Sequence, residues 1–415
     1  MPWAKTKEDS ELRPPGKADA SSETSSGPPR SWSASQLGAV AVALALIVLP
    51  LVITVSLPSP GFKNTAPVNY RQLTSGPWND TSPAWSPDGD YVAYASDRQG
   101  GWALFVSPLY GVGERQLTPS GKTIAHPSWS HDSTRIAYWS LDGNVSSIRV
   151  VTLSNDSITT ISGIDQTPVN MTPVWSPDGS RLLFSVAGTP ARLVWADLDA
   201  RASGVAAELN VPDVNPRWAG PDRVVYTDSE EGLLAMHWEN ITSGESGTLS
   251  EGGADFLGGV VSPDGTRIAY YSNVTGTRLQ YLPPDGYNIW VNSLNLTEID
   301  VWTQRLSSFH ASYMYQLILH NYKIRPGEIV PTDPLLWSSD GHLLAFVLVS
   351  SESGIGVWVW SVDNSTVTRM GPSGARGSSP SWSPDQPSLA FSCNASGTWH
   401  IWIADYAAYN PAATY

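Results

Sequence analysis

The stretch that decides the fold is SPAWSPDGDYVAYASDRQGGWALFV, residues 82–106. It begins with a short segment that ends in Trp85, continues through the residues Ser-Pro-Asp-Gly, and then enters an alternating apolar run. Pro fixes φ, Asp caps the turn and Gly adopts positive φ, so the phrase predicts a tight turn between two strands. Whether it belongs to an active site or to a structural unit depends on how often it occurs.

The phrase recurs along the chain at regular intervals. Its seven copies are centred on Trp85, Trp129, Trp175, Trp218, Val261, Trp337 and Trp382. Steps between consecutive copies are 44, 46, 43, 43, 76 and 45 residues. A period in the forties with several short strands per unit is typical of propeller blades. We therefore predict an all-β, seven-bladed β-propeller with four-stranded blades over residues 70–406, in which each Trp wedges between neighbouring sheets.

The two ends of the repeat series predict how the ring closes. The last copy stops after its third strand, within residues 399–406, and residues 407–415 are left as a C-terminal tail. YRQLT at 70–74 matches ERQLT at 114–118, the predicted fourth strand of the first copy. We expect residues 70–74 to complete the last blade and to cover an otherwise exposed sheet edge.

The 76-residue step marks the one large departure from the repeat. The fifth copy has an extended connection between its second and third strands at 273–287, a fourth strand predicted at 303–307, and a long connection to the next copy at 308–334. Both connections emerge on the same face, and long loops on a rigid scaffold commonly bind partners. The predicted protein-binding patch consists of Tyr281, Tyr287, Phe309, Tyr313, Tyr315, Tyr322 and Lys323. The open alternative is a flap that covers the end of the tunnel.

The segment before the repeats predicts a membrane anchor. Residues 1–36 are rich in Ser, Pro and charge, as in a disordered tail. Residues 37–57 carry no charge over 21 positions, and as a helix they would span roughly 30 Å. Lys and Arg are more frequent before this segment than after it, so we expect a cytoplasmic N-terminus, a linker at 58–69 and an extracellular or extracytoplasmic propeller. A cleaved signal peptide fits less well, because a long tail precedes the apolar run and no clear A-x-A site follows it.

Sequons of the form N-x-[ST] support the same orientation. All nine lie after the predicted helix, at Asn79, Asn144, Asn155, Asn170, Asn240, Asn273, Asn295, Asn364 and Asn394. We interpret them as candidate N-glycosylation sites of an outer domain. The alternative is that a chain rich in Ser and Thr forms sequons by chance.

Charge and cysteine content exclude several functions. The formal net charge is -14, whereas a nucleic-acid or anionic-lipid surface needs clustered Lys and Arg. Cys393 is the single cysteine, so a disulfide framework and a multi-cysteine metal site are excluded. We predict no nucleic-acid partner, no metal and no cofactor.

The repeated unit, P-x-W-S-P-D-G followed by I-A-Y-x-S and R-Q-L-T, resembles the TolB-type propeller repeat, which is WD-repeat-like. That repeat also builds the non-catalytic propellers of tricorn-like and dipeptidyl-peptidase-like proteins. ASDRQGG at 95–101 matches the family's turn between the second and third strands. The resemblance implies the fold over about residues 70–406 and leaves the function open. The N-terminal domain of periplasmic TolB has no counterpart here, so the role of TolB is not transferred to this chain.

Residues that would carry catalysis are sparse. No G-x-S-x-G elbow occurs, because 244–248 and 371–375 both lack the final Gly. The seven His do not recur at one blade position, and we interpret His126, which precedes a Pro ahead of the first strand of its copy, as a polar tunnel-mouth residue. One turn Asp per copy fits backbone capping better than catalysis, at Asp88, Asp178, Asp264, Asp340 and Asp385.

The function predicted from the sequence is therefore a non-catalytic protein-binding or assembly module, as a subunit of a cell-surface or membrane complex. The partner is expected on the face that carries the insertions of the fifth copy. The alternative is a propeller enzyme of the lyase, cyclotransferase or glycosidase type with its pocket at the tunnel mouth. Three converging His or paired carboxylates would favour the enzyme, and a rim of Ser, Thr, Asn and Pro would favour the binding module.

Overall fold

The chain folds into antiparallel sheets that each contain four strands. The computed structural model describes residues 68–110, 113–161, 168, 172–210, 216–230, 232–249, 256–264, 266–272, 288–293, 315–317, 334–350, 354–363 and 366–406. Within these residues 28 strands form seven four-stranded sheets. The first strand along the chain is Val68–Gln72 (β1).

Six sheets consist of four consecutive strands, and we call them blades 1 to 6. Blades 1 and 2 comprise Asp80–Trp85 (β2), Tyr91–Ser96 (β3), Ala103–Pro108 (β4), Arg115–Gln116 (β5), Thr123–Trp129 (β6), Arg135–Asp142 (β7), Val145–Thr152 (β8) and Ser157–Thr160 (β9). Blades 3 and 4 comprise Val174–Trp175 (β10), Arg181–Val186 (β11), Ala191–Asp197 (β12), Ala202–Leu209 (β13), Arg217–Trp218 (β14), Arg223–Glu230 (β15), Leu233–Asn240 (β16) and Ser246–Thr248 (β17). Blades 5 and 6 comprise Phe256–Val261 (β18), Arg267–Ser272 (β19), Asn288–Ser293 (β20), Tyr315–Leu317 (β21), Leu336–Trp337 (β22), Leu343–Ser350 (β23), Gly354–Ser361 (β24) and Thr366–Arg369 (β25).

The remaining sheet is composite and joins the two ends of the propeller. It contains Gly377–Trp382 (β26), Ser388–Cys393 (β27) and His400–Tyr406 (β28), and β1 pairs with β28 as its fourth strand. Counted as runs of four consecutive strands, the blades therefore number six, not seven, and the composite sheet fills the remaining place in the ring. Strand β1 begins two residues earlier than the predicted 70–74, with Val68 opposite Tyr406 and Gln72 opposite Trp402.

Apolar side chains pack between neighbouring sheets rather than within one central core. Among the described residues, seven buried clusters each join two adjacent sheets. The cluster that closes the ring packs Tyr94 and Phe105 of blade 1 against Ile401 and Ile403 of the composite sheet. A four-stranded sheet exposes two apolar faces, so each sheet gains stability by packing against both of its neighbours.

The repeated Trp lies in these interfaces, as predicted, and it also makes a hydrogen bond. In five sheets its indole N–H donates to a backbone carbonyl in the first strand of the preceding blade. Trp175 Nε1, for example, lies 2.9 Å from the Ser128 carbonyl oxygen. In blade 1 the indole of Trp85 instead donates to Gly89 of its own turn at 3.3 Å. Blade 5 has Val261 at this position and so has no indole to donate.

In six of the seven sheets, the turn after the Trp position is held by a Ser and an Asp two residues apart. In blade 3, Ser176 Oγ donates to Asp178 Oδ1 at 2.5 Å, and the same carboxylate oxygen accepts the Ser180 N–H at 3.0 Å. These hydrogen bonds, that from Ser176 first, lower the pKa of Asp178 to about 2. The same Ser–Asp pair occurs at Asp88, Asp132, Asp264, Asp340 and Asp385. The backbone capping predicted for the turn Asp residues is confirmed at Asp88, Asp178, Asp264 and Asp340, each of which accepts the backbone N–H two residues further on.

Two predictions about the fold need correction. The predicted fold class placed a transmembrane helix before the propeller, but no helix in the described part of the chain is long and apolar enough to cross a membrane. Residues 37–57 themselves lie outside that part. The fourth strand of blade 5 is Tyr315–Leu317, not 303–307, and it pairs with β20. The surrounding sequence YMYQLIL has stronger strand propensity than TQRLS, so it competes better for the outer edge.

Candidate functional site

The innermost strands of three sheets carry the same backbone irregularity at a non-glycine residue, and a fourth, β18, has an equivalent register shift at Gly258. The pairing register shifts between Thr81 and Ala84 in β2, with equivalent shifts in β6 and β26. At each of these three shifts one non-glycine residue adopts positive φ: Ser82 at 55°, His126 at 56° and Ser379 at 53°. Such a conformation costs of order 1–3 kcal/mol for a residue with a Cβ, and bulges of this kind commonly redirect side chains near functional sites.

A cavity of about 310 Å³ lies where these irregular strands meet. Blades 1, 2, 3, 4 and 6 and the composite sheet contribute to its walls. The lining residues are Ser82, Pro83, Ala84, His126, Pro127, Ser128, Thr172, Pro173, Val174, Arg217, Pro334, Leu336, Trp337, Ser379, Pro380, Ser381 and Trp382. Because residues from six of the seven sheets line it, we call it the channel cavity.

The walls of the channel cavity combine hydroxyl groups with proline rings. Five of its residues are Ser or Thr and five are Pro, and the described lining contains one His, one Arg and no carboxylate. Ser381 Oγ accepts the backbone N–H of Trp85 at 2.9 Å, so part of the wall is fixed by contact between neighbouring sheets. Such a lining can accept and donate hydrogen bonds to neutral polar groups and can contact apolar atoms.

His126 lines the channel cavity, so its assignment as a tunnel-mouth residue is confirmed. In most copies of the repeat a polar residue is followed by Pro near the inner strand, and this sequence pattern indicated which residues form the cavity wall. Arg217 was missed, because blade 4 departs from the Ser-Pro-Asp-Gly phrase and gave no reason to single out this residue. No group of three His, Cys, Asp or Glu with metal-binding geometry occurs among the described residues.

The predicted aromatic patch lies mostly beyond what the structure describes. Tyr281, Tyr287, Phe309, Tyr313, Tyr322 and Lys323 lie outside the described residues. Tyr315 belongs to β21, where its backbone pairs with Val291, so it is part of a strand rather than of a loop. Pro334, the last residue of the second predicted connection (308–334), lines the channel cavity. That insertion therefore ends at the cavity wall.

The described sequons differ in exposure. Asn144 and Asn155 are exposed in the turns that join β7 to β8 and β8 to β9. Asn79 is half-buried, and its Nδ2 donates to Asp97 Oδ2 at 2.9 Å. Asn240 and Asn394 are also half-buried. The other four sequons, at Asn170, Asn273, Asn295 and Asn364, lie outside the described residues.

A second polar cluster lies where blade 1 meets the composite sheet. Arg98, in the turn after β3, pairs with Asp80 at 3.1 Å and also with Glu114. The Asp80 side chain is fully buried, and His400 Nδ1 lies 3.4 Å from its second oxygen. Burial opposes the charge on Arg98, but the hydrogen bond from Arg98 to Glu114 and the charges of Tyr94 and Asp80 outweigh it, so the pKa of Arg98 is raised. We call this set the Arg98 cluster.

Arg98 also stacks against aromatic rings that pack across the same junction. Its guanidinium carbon lies 4.4 Å from the centre of the Phe105 ring and 5.1 Å from that of Trp78. Tyr94 Oη accepts a hydrogen bond from Arg98 Nη2 at 3.1 Å, and burial raises the pKa of this hydroxyl above its ordinary value. The cluster contains mutually satisfied groups, and it fits a structural role in closing the ring better than a role in chemistry.

Comparison with known proteins agrees with this architecture. Residues 101–285 match the PD40 TolB beta propeller domain. Over these residues, which are fewer than half of the chain, the sequence resembles a TolB-type propeller domain. The chain is similar in structure to an oligogalacturonate lyase from Vibrio parahaemolyticus, with a TM-score of 0.59 and 15% identity over 82% of this chain and 98% of that chain. It is also similar to the propeller domain of the Trilobed protease from Pyrococcus furiosus, with a TM-score of 0.54 and 14% identity over 80% of this chain and 95% of that chain.

One curated sequence matches a shorter part of the chain. The uncharacterized peptidase YuxL from Bacillus subtilis (strain 168) is 37% identical over 75 residues, which are 16% of this chain and 11% of YuxL. The chain thus spans about a tenth of that relative's length. The two structural likenesses, at 14–15% identity, show the fold alone.

Proposed function

We propose that the protein is a non-catalytic binding module whose channel cavity holds a short segment of a partner polypeptide. The observation that carries this proposal is the lining, in which hydroxyl groups alternate with proline rings around one end of the inner strands. Peptide segments present both backbone polar groups and apolar side chains, and this lining offers a contact for each. The volume of about 310 Å³ is at the lower end for ligand pockets and suits one or two side chains.

The insertions of blade 5 extend the proposed binding surface. Pro334, at the end of the second connection, lines the cavity wall. Aromatic side chains on long loops contribute large contact areas to protein interfaces. In this proposal the cavity binds one end of the partner segment, and the predicted aromatic patch provides the further contacts.

Site-specific photocross-linking tests the proposed binding surface. A benzoylphenylalanine placed at Thr172, in the cavity wall, is compared with one at Thr242, an exposed turn residue of blade 4. We expect the full-length chain in its native cells to give one dominant protein adduct from position 172 and none from position 242. Equal adducts from the two positions would contradict the proposal.

The same protein preparation tests the enzymatic alternative. Purified full-length protein is incubated with oligogalacturonate, with and without Mn²⁺, and absorbance of an unsaturated product is followed. We expect no turnover. Turnover that is lost in a His126→Ala variant would replace the binding proposal with a lyase.

We also propose that the propeller faces the outside of the cell. The exposed positions of Asn144 and Asn155 support this, because oligosaccharide transfer needs an accessible Asn. Glycosidase treatment of the native protein is expected to reduce its mass, and an Asn144→Gln, Asn155→Gln variant should show a smaller reduction. An unchanged mass after treatment would count against the outer location.

A further inference from the structure

A larger cavity lies between blades 4, 5 and 6, at the position where the repeated Trp is replaced. Its volume is about 510 Å³. Val261 lines it, between Trp218 of blade 4 and Trp337 of blade 6. The rest of the lining is largely apolar: Ala219, Val225, Gly259, Val260, Ile268, Leu335 and Leu336, with Arg217, Ser262 and Pro263. We call it the interblade cavity.

The other sheets show what fills this place in the repeat. In five of the six sheets that have this Trp, its indole wedges against the preceding blade and donates to the carbonyl of the residue just before that blade's own Trp position. This geometry holds for Trp129 with Ala84, Trp175 with Ser128, Trp218 with Val174, Trp337 with Val260 and Trp382 with Leu336, at 2.9–3.0 Å. In blade 5 the equivalent carbonyl acceptor belongs to Arg217, which precedes Trp218.

The side chain of Val261 is smaller than an indole and has no N–H group. The interblade cavity therefore lies at the place where the other sheets hold an indole ring, and its walls are largely apolar. Arg217, the residue equivalent to those whose carbonyls accept the indole N–H elsewhere, is among its lining residues. Cavities lined by aliphatic and aromatic side chains can bind small apolar rings, because such rings regain the packing contacts of the wall. The surrounding repeats thus specify both the shape and the polarity of a fitting ligand.

The interblade cavity also adjoins the channel cavity. Arg217, Leu336 and Trp337 line both. A ring bound between the blades would therefore contact the same three residues that form part of the channel wall. Of these, Trp337 is tied to blade 5 through its hydrogen bond to the Val260 carbonyl at 3.0 Å.

We propose that the interblade cavity is a binding site for a planar heteroaromatic ring of indole size whose N–H donates toward the Arg217 backbone. This site is separate from the proposed function and does not depend on it, because its ligand is a small molecule or ring and its walls are the blade interface. Because the proposed hydrogen bond needs an N–H group, we expect the site to bind an aromatic N–H compound more tightly than a ring of similar shape that lacks this donor.

Calorimetric titration of the full-length protein with indole tests the site. We expect one indole per chain, and binding at least tenfold weaker for benzothiophene, which has a similar shape without an N–H, since one lost hydrogen bond to a carbonyl is worth about a factor of ten. Val261→Trp places a covalent indole in the cavity, so it should abolish binding. Val261→Phe, which fills the space without an N–H, should also abolish it and guards against misfolding of the Trp variant.

A matched variant tests whether the missing Trp is what creates the indole site. Trp175→Val removes the indole between blades 2 and 3 and should create a second site, so its stoichiometry with indole should rise to two. If this variant is too unstable for calorimetry, added indole should raise its melting temperature more than that of the unaltered protein. Wild-type protein that binds no indole, or a Val261→Trp variant that binds it as well as wild type, would overturn the proposal. Neither result bears on cross-linking from position 172.

Discussion

Deletion of residues 58–76 is expected to abolish cooperative unfolding of the propeller. The deletion removes β1, which pairs with β28 through five consecutive residues. It also removes the Thr74 hydroxyl that accepts the Ile401 N–H at 3.0 Å. Strand β28 would become a long exposed edge, and Tyr70, which packs on the cluster between blade 6 and the composite sheet, would be lost. The propeller is stabilised by packing between every pair of neighbouring sheets. Without β1 the composite sheet would lose its fourth strand, and the contacts that join the two ends of the chain would be weakened.

Thermal unfolding followed by circular dichroism measures this effect. The unaltered protein should melt in one sharp transition, and the deletion variant should show a broad, low-amplitude change together with aggregation. The control is a deletion of residues 58–66 alone, which shortens the chain ahead of β1 and should leave the melting curve unchanged. A sharp transition at the original temperature in the 58–76 deletion would show that β1 is not needed to close the ring.

Replacement of Arg98 by Met is expected to destabilise the protein by about 3–5 kcal/mol, the range for breaking a buried ion pair. Only 10% of the Arg98 side chain is exposed, and its partner Asp80 is fully buried. Removing the guanidinium would leave the Asp80 carboxylate next to His400 without its closest cation. The contacts of Arg98 with the rings of Trp78 and Phe105 would be lost as well.

Urea unfolding gives the free energy for this comparison. Arg115→Met is the matched control, because Arg115 pairs with Asp156 at 3.4 Å while about half of each side chain is exposed, and exposed pairs are worth about 0–1 kcal/mol. Adding Asp80→Asn to Arg98→Met should recover part of the lost stability, since it removes the unpaired charge. Equal effects of Arg98→Met and Arg115→Met would show that the Arg98 cluster does not stabilise the junction.

Local sequence patterns predicted the repeated elements well. The Ser-Pro-Asp-Gly turn and the alternating run after it specify two strands and their connection, because turn conformation and strand alternation depend on neighbouring residues. The match between 70–74 and 114–118 correctly indicated an N-terminal strand in the last sheet. The outer strand of blade 5 was misplaced because outer strands are short and bury few side chains, so several segments can compete for one edge.

The candidate sites were predicted less completely. The polar residue before each Pro pointed to the channel wall, and His126 was placed there correctly. The one sequence feature that indicates the interblade cavity is Val261 at a position that is Trp in the other copies. The sequence does not show whether neighbouring side chains fill the space that the missing indole leaves. The Arg98 cluster could not be predicted, because it joins Asp80 to His400 across 320 positions of the chain.

The sequence by itself determined the repeat, its turns, the Trp positions and the blade that departs from them, since each depends on residues close together in the chain. Only the tertiary structure decided that six sheets share one channel cavity, that Val261 lies at an interblade cavity, and that Arg98 is buried beside Asp80. Those features arise where separate repeats meet. Their geometry depends on how whole sheets pack, which no single repeat specifies.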